Sequence, residues 1–124
     1  MHDFKQLRVW QIASELAAEV HAAVRRFPPG DRGVTALQLR RAAESVPANI
    51  AEGCGIATRR EAVRYLKQAS RSAAEVENHL LMAQRLGFIH PRRAQSFLAR
   101  TTSIQRMLAG LIGRLPPPPQ DDAL

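Results

Sequence analysis

The stretch "LKQASRSAAEVENHLLMAQRLG" (66–87) decides the fold. Leu66, Ala69, Ala73, Val76, Leu80, Ala83 and Gly87 recur at alternating steps of three and four. That spacing lines them up along one side of a helix, as in the seam of a helical bundle. Gly87 ends the row where a glycine can take the left-handed conformation that closes a helix. Upstream, "TRRE" (58–61) has the form of a capping box, in which Thr58 and Glu61 satisfy orphan amides reciprocally. The spacing predicts one helix from Thr58 to about Leu86.

Outward from this helix, three short segments hold most of the remaining glycine and proline: "FPPGD" (27–31), "GCGIAT" (53–58) and "GFIHP" (87–91). Each separates two stretches of helical period. A first helix is expected over Val9–Arg26, with Trp10, Ala13, Leu16, Val20, Val24 and Phe27 on one face. A second is expected over Asp31–Gly53. A fourth begins near Pro91, a residue suited to a first turn, and carries Phe97, Thr101, Ile104, Leu108, Leu111 and Leu115 at the same spacing. No strand-like alternation competes. The expected fold is all-α, an antiparallel up-and-down four-helix bundle over residues 1–115. The segment "PPPPQDDAL" (116–124) cannot continue a helix and has nothing to bury, so it is expected to be a disordered tail.

The second helix has proline in its interior: "RRAAESVPANIAEGCG" (40–55). Pro47 cannot donate to the Ala43 carbonyl, so a bend is expected there. Leu39, Ala43, Val46 and Ile50 form an apolar face. Gln38, Arg41, Ser45, Asn49 and Glu52 follow one another on a polar face. The middle of that face is short (Ser45, Ala48, Asn49), which lets another backbone approach closely. Asn49 is expected to satisfy a buried backbone group.

A chain of 124 residues suits one domain with a real core. Its 18 basic against 11 acidic residues leave a formal net charge of +7, mostly as arginine. Arginine presents a planar fork suited to phosphate or carboxylate, so the excess points to nucleic acid or an acidic protein surface. Cys54 is the single cysteine, which excludes an internal disulfide and argues for a reducing compartment. "MHDFKQLRVW" (1–10) lacks a signal-peptide pattern, and no apolar run approaches the roughly 20 residues of a membrane span. A cytoplasmic location, away from membranes, is expected.

Catalytic constellations are missing from the pattern. A di-metal bundle needs paired Glu-x-x-His motifs, whereas Glu75 and His79 are four apart and have no counterpart on a second helix. His21 and His90 are isolated, Cys54 has no base in a motif with it, and no glycine-rich phosphate loop follows a strand. The expectation is a protein without catalytic residues, metal or cofactor.

The basic residues are more informative. Arg60, Arg64, Lys67 and Arg71 fall at steps of four, three and four, giving one stripe on the third helix. Arg40 and Arg41 add charge on the second, and Arg92, Arg93 and Arg100 on the fourth. Such a stripe is the footprint expected for phosphate contacts to RNA or DNA. Tyr65 is the main aromatic available for stacking, so little sequence reading is expected. Several apolar stripes are also wider than a monomer needs: Phe97 with Leu98, Met107 with Leu108, Leu111 with Ile112, Leu81 and Met82, and Val9 and Ile12 beside Trp10. This width argues for subunit contacts, with Met82, Leu98, Met107 and Ile112 as interface residues.

"LRRAAESVPANIAEG" (39–53), with "VWQIASEL" (9–16) and "YLKQASRSAAEVENHL" (65–80), resembles the small four-helix-bundle family encoded in intervening sequences of bacterial 23S ribosomal RNA genes. The accessory variability protein of diversity-generating retroelements is a relative of that family. The match is specific at Arg40, Arg41, Ala42, Ser45, Pro47, Asn49, Ile50, Ala51, Glu52 and Gly53. It departs at Cys54 and Gly55, where an aromatic and a basic residue are more usual. The resemblance implies a four-helix protomer, a ring of five for members seen as assemblies, and no known catalytic activity. The retroelement relative binds nucleic acid and a reverse transcriptase through a basic surface. Two readings follow: an oligomer bound to nucleic acid or a nucleic-acid enzyme, and a structural or adaptor assembly that docks a partner protein on the short-residue face of the second helix.

Overall fold

The computed structural model describes residues 3–31, 33–55 and 58–116. Among these residues there are four α-helices and no strand: α1 (Arg8–Ala23), α2 (Val34–Cys54), α3 (Arg59–Arg85) and α4 (Pro91–Arg114). The tail expected to be disordered lies, from residue 117 on, outside the described residues.

The α3 row lands in the core: Leu66, Ala69, Ala73, Val76, Leu80 and Ala83 are all buried. Gly87 has φ 75°, the left-handed closure expected of it. Thr58 caps α3 by accepting from the Glu61 amide at 3.3 Å. On α4, Phe97, Thr101, Ile104 and Leu108 are buried, while Leu111 and Leu115 are half-buried and pack on the rim of the core. Thr101 is tolerated in the core because its hydroxyl donates to the Leu98 carbonyl at 2.8 Å.

Each helix packs against its neighbour in sequence, and α1 closes the set against α4. In two of the pairs the contacts run in opposite directions along the chain. Gly53 approaches Ala62, and Ser45 meets Ser72. Likewise Glu19 meets Arg100, while Leu7–Val9 and Met107–Arg114 share one cleft. That is the pattern of neighbours joined by short loops and pointing opposite ways.

Two helix ends differ from expectation. The first α-helix stops at Ala23 and continues as a 3-10 turn over Val24–Arg26, ahead of the two prolines at 28 and 29. The second begins at Val34 rather than Asp31. Gly33, at φ 76°, turns the chain, and Asp31 reaches across it to cap the helix. Its carboxylate accepts from the Thr35 and Ala36 amides at 3.0 and 3.1 Å. Pro47 lies inside α2, which continues unbroken to Cys54.

Candidate functional site

The short face of α2 determines how closely α3 packs. Ala42, Gly53 and Cys54 are buried, and a β-carbon at Gly53 would lie 3.3 Å from the Ala62 carbonyl and from the Leu66 side chain. Ser45 and Ser72 share a hydrogen bond of 2.8 Å across the helix pair. Asn49 donates to the Ser45 carbonyl at 2.9 Å and to its hydroxyl at 3.0 Å. The backbone group it satisfies therefore belongs to its own helix and is not the Ala43 carbonyl that Pro47 leaves without its usual donor. Pro47 itself is half-buried, and Glu52 is exposed at the end of α2. Of the short-residue face, Ser45 and Asn49 are half-buried and Ala48 is exposed, so α3 covers only part of it.

Below the point of closest approach the helices leave a groove of about 360 Å³, with Ala42, Ser45 and Ser72 along its floor. Gln38 and Arg41 reach it from α2, and Gln68, Glu75 and His79 from α3. Sequence reasoning weighed Glu75 and His79 as metal ligands and passed over Gln68. The available signal was Gln68, Ser72, Glu75 and His79 at steps of four, three and four, a polar row beside the apolar seam. Among the described residues, no group of three or more histidine, cysteine or acidic side chains could hold a metal.

The predicted basic residues separate into two kinds. Arg60, Arg64, Lys67 and Arg71 are all exposed along one side of α3. Among the described residues no carboxylate pairs with Arg64, Lys67 or Arg71, and the Arg64 guanidinium lies 5.5 Å from the Tyr65 ring. Arg41 is exposed at the α2–α3 groove, next to this stripe. Arg40 points the other way, with Nε 3.9 Å from Glu44, which also lies 3.8 Å from His21. Arg100 is committed to Glu19 through two hydrogen bonds, one of them 3.1 Å. That contact lowers the pKa of the Glu19 carboxyl and raises that of Arg100. Arg40 and Arg100 therefore have carboxylate partners within the chain, Arg40 in a largely solvated pair along α2 and Arg100 across α1 and α4.

The candidate interface residues divide as well. Met82 is 45% exposed, beside Leu81 at 45% and one turn from Leu86 at 52%. Leu98, Met107 and Ile112 are partly buried and pack against the core, which accounts within one chain for much of the apolar width of α4. Cys54 is buried, and burial pushes its thiol pKa up, away from the thiolate a nucleophile requires. Among the described residues, no helix is long and apolar enough to cross a membrane.

Comparison with known proteins now places this architecture. A crystal structure of a protein of unknown function from the S23 ribosomal protein family of Bacteroides thetaiotaomicron is similar, with a TM-score of 0.77 at 24% identity. The similarity covers 84% of this chain and 97% of that one, and it speaks to the fold. No curated protein matches the chain. The family described as 23S rRNA-intervening sequence protein matches residues 5–110, which include all of α1, α2 and α3 and most of α4. The chain belongs to the 23S rRNA-intervening sequence protein family.

Proposed function

We propose that this protein is a non-enzymatic, cytoplasmic, oligomeric bundle that holds nucleic acid by its phosphate backbone along α3. The observation that carries this reading is the row Arg64, Lys67 and Arg71, exposed on one helix side and paired with no carboxylate among the described residues. A solvated helix face normally interleaves both signs of charge, as Arg40 and Glu44 do on α2. Three cations without such partners leave their charge available to phosphates. Arg60 and Arg41 extend the footprint at its two sides. An assembly that repeats the row, such as the ring of five implied by the family resemblance, would multiply the contacts without adding length to the chain.

Salt titration tests the reading. The parent should bind duplex DNA at low salt and weaken linearly on a log–log plot as salt rises. The Arg64→Gln/Lys67→Gln/Arg71→Gln variant should lose about 0.9 of that slope for each phosphate contact removed. Absence of binding by the parent at low salt would overturn it.

A structural or adaptor assembly has one observation in its favour: Leu81, Met82 and Leu86 form a half-exposed apolar cluster at the C-terminal end of α3. Apolar clusters of this kind mark subunit or partner contacts. This face is where a protein partner or a second copy would sit.

A further inference from the structure

We propose that the α2–α3 groove receives one unpaired nucleobase carrying an exocyclic amino group, while the basic row on α3 holds the backbone of a single strand. This inference rests on the nucleic-acid reading above and names the kind of nucleic acid. Three observations support it. First, groove and row interleave on one helix: Lys67 is followed by Gln68, and Arg71 by Ser72, so a base turned inward from a phosphate on the row meets the groove.

Second, the groove is built from edge-reading side chains. Gln38 and Gln68 each offer a donor and an acceptor, Arg41 offers donors, and Glu75 offers acceptors. Amide side chains pair with adenine and carboxylates accept from the cytosine amino group, whereas thymine presents a carbonyl in that place. A wall that includes Glu75 favours a base that donates. A site for phosphate alone would have no use for that carboxylate. Third, these side chains are uncommitted: among the described residues no hydrogen bond or ion pair engages Gln38, Arg41, Gln68 or Glu75. Only the floor is already satisfied, by the Ser45–Ser72 hydrogen bond. Bases splayed from single strands can be turned into such a groove, which a paired and stacked base cannot enter.

The test compares oligo-dC with oligo-dT of equal length, two weakly stacked pyrimidine strands of equal charge, by fluorescence anisotropy with the full chain at two salt concentrations. The parent should prefer oligo-dC by at least about fivefold, the lower end of what one good edge contact discriminates. The Gln38→Ala/Gln68→Ala variant, neutral in charge, should weaken both strands, because an amide can pair with either base, with the salt slope unchanged. Glu75→Ala should collapse the ratio, because oligo-dC loses its acceptor while oligo-dT tightens as a negative charge beside the row is removed. Circular dichroism identifies any variant that fails to fold, and the two sets of substitutions serve as independent checks. Equal binding of both strands by the parent would overturn the groove and leave the row standing. Binding of neither at low salt would overturn both.

Discussion

At the scale of single residues, the core and the helix crossing make opposite demands. Leu80 is fully buried in the α3 seam, so Leu80→Ala should cost about 2–5 kcal/mol in denaturant unfolding, as cavity formation does. Gly53 and Gly113 are both helical glycines, yet alanine should act on them with opposite sign. At Gly113 no atom lies within 4 Å of a built β-carbon, so alanine should stabilise by about 0.5 kcal/mol through helix propensity and a stiffer unfolded chain. At Gly53 the same carbon meets a backbone carbonyl of α3 at 3.3 Å, which cannot rotate away as a side chain can. Overpacking of about 1–3 kcal/mol then exceeds the propensity gain, and Gly53→Ala should lower the midpoint of thermal unfolding. If both glycines respond alike, the close approach of α2 and α3 is not what holds Gly53 in place.

At the scale of elements, two carboxylates fasten helices and should be seen in the response to acid. Glu19 ties α1 to α4 through Arg100, whose guanidinium also lies 5.8 Å from the Phe97 ring. The hydrogen bonds from Arg100 hold the Glu19 carboxyl below its ordinary 4.5. A depressed carboxyl contributes stability that is complete above its unfolded value and disappears as the pH falls through the folded one. Glu19→Gln should therefore cost less than about 1 kcal/mol at neutral pH, because both side chains are partly solvated, and the gap should close below pH 4.5. Asp31 caps the start of α2, and its carboxyl is likewise held below its ordinary 3.8 by hydrogen bonding to Thr35 and Ala36. Asp31→Ala should loosen the first turn, read as faster amide exchange at Thr35 and Ala36 with the centre of α2 unchanged.

At the scale of the whole molecule, the question is what covers the Leu81–Met82–Leu86 cluster. Met82→Arg should reduce the molecular mass seen by light scattering while leaving the helix content intact, because Met82 is half exposed and its charge can reach water in the separated chain. Ile112→Arg should behave differently. Ile112 is partly buried against the core, so arginine there should lower stability whether or not chains associate. A parent protein of 13.7 kDa in solution at micromolar concentration would end the oligomer proposal.

The sequence by itself determined the elements. Alternating steps of three and four from Leu66 to Gly87 and from Phe97 to Leu108 place each apolar row on one helix side, and the core follows from that local periodicity. Thr58 and Gly87 marked the ends of α3 because capping is settled within a single turn. The α3 charge row was equally legible, since exposure on a helix follows from its distance around the wheel from the seam. What the sequence left open depended on partners far along the chain. That Arg100 belongs to Glu19 and Ser45 to Ser72, or that Gly53 is fixed by the Ala62 carbonyl, is decided only when helices distant in sequence are brought side by side. The polar groove has the same origin. Its two walls are unremarkable rows on separate helices, and they become one concave surface because the small residues of α2 let α3 approach closely at one end of the contact.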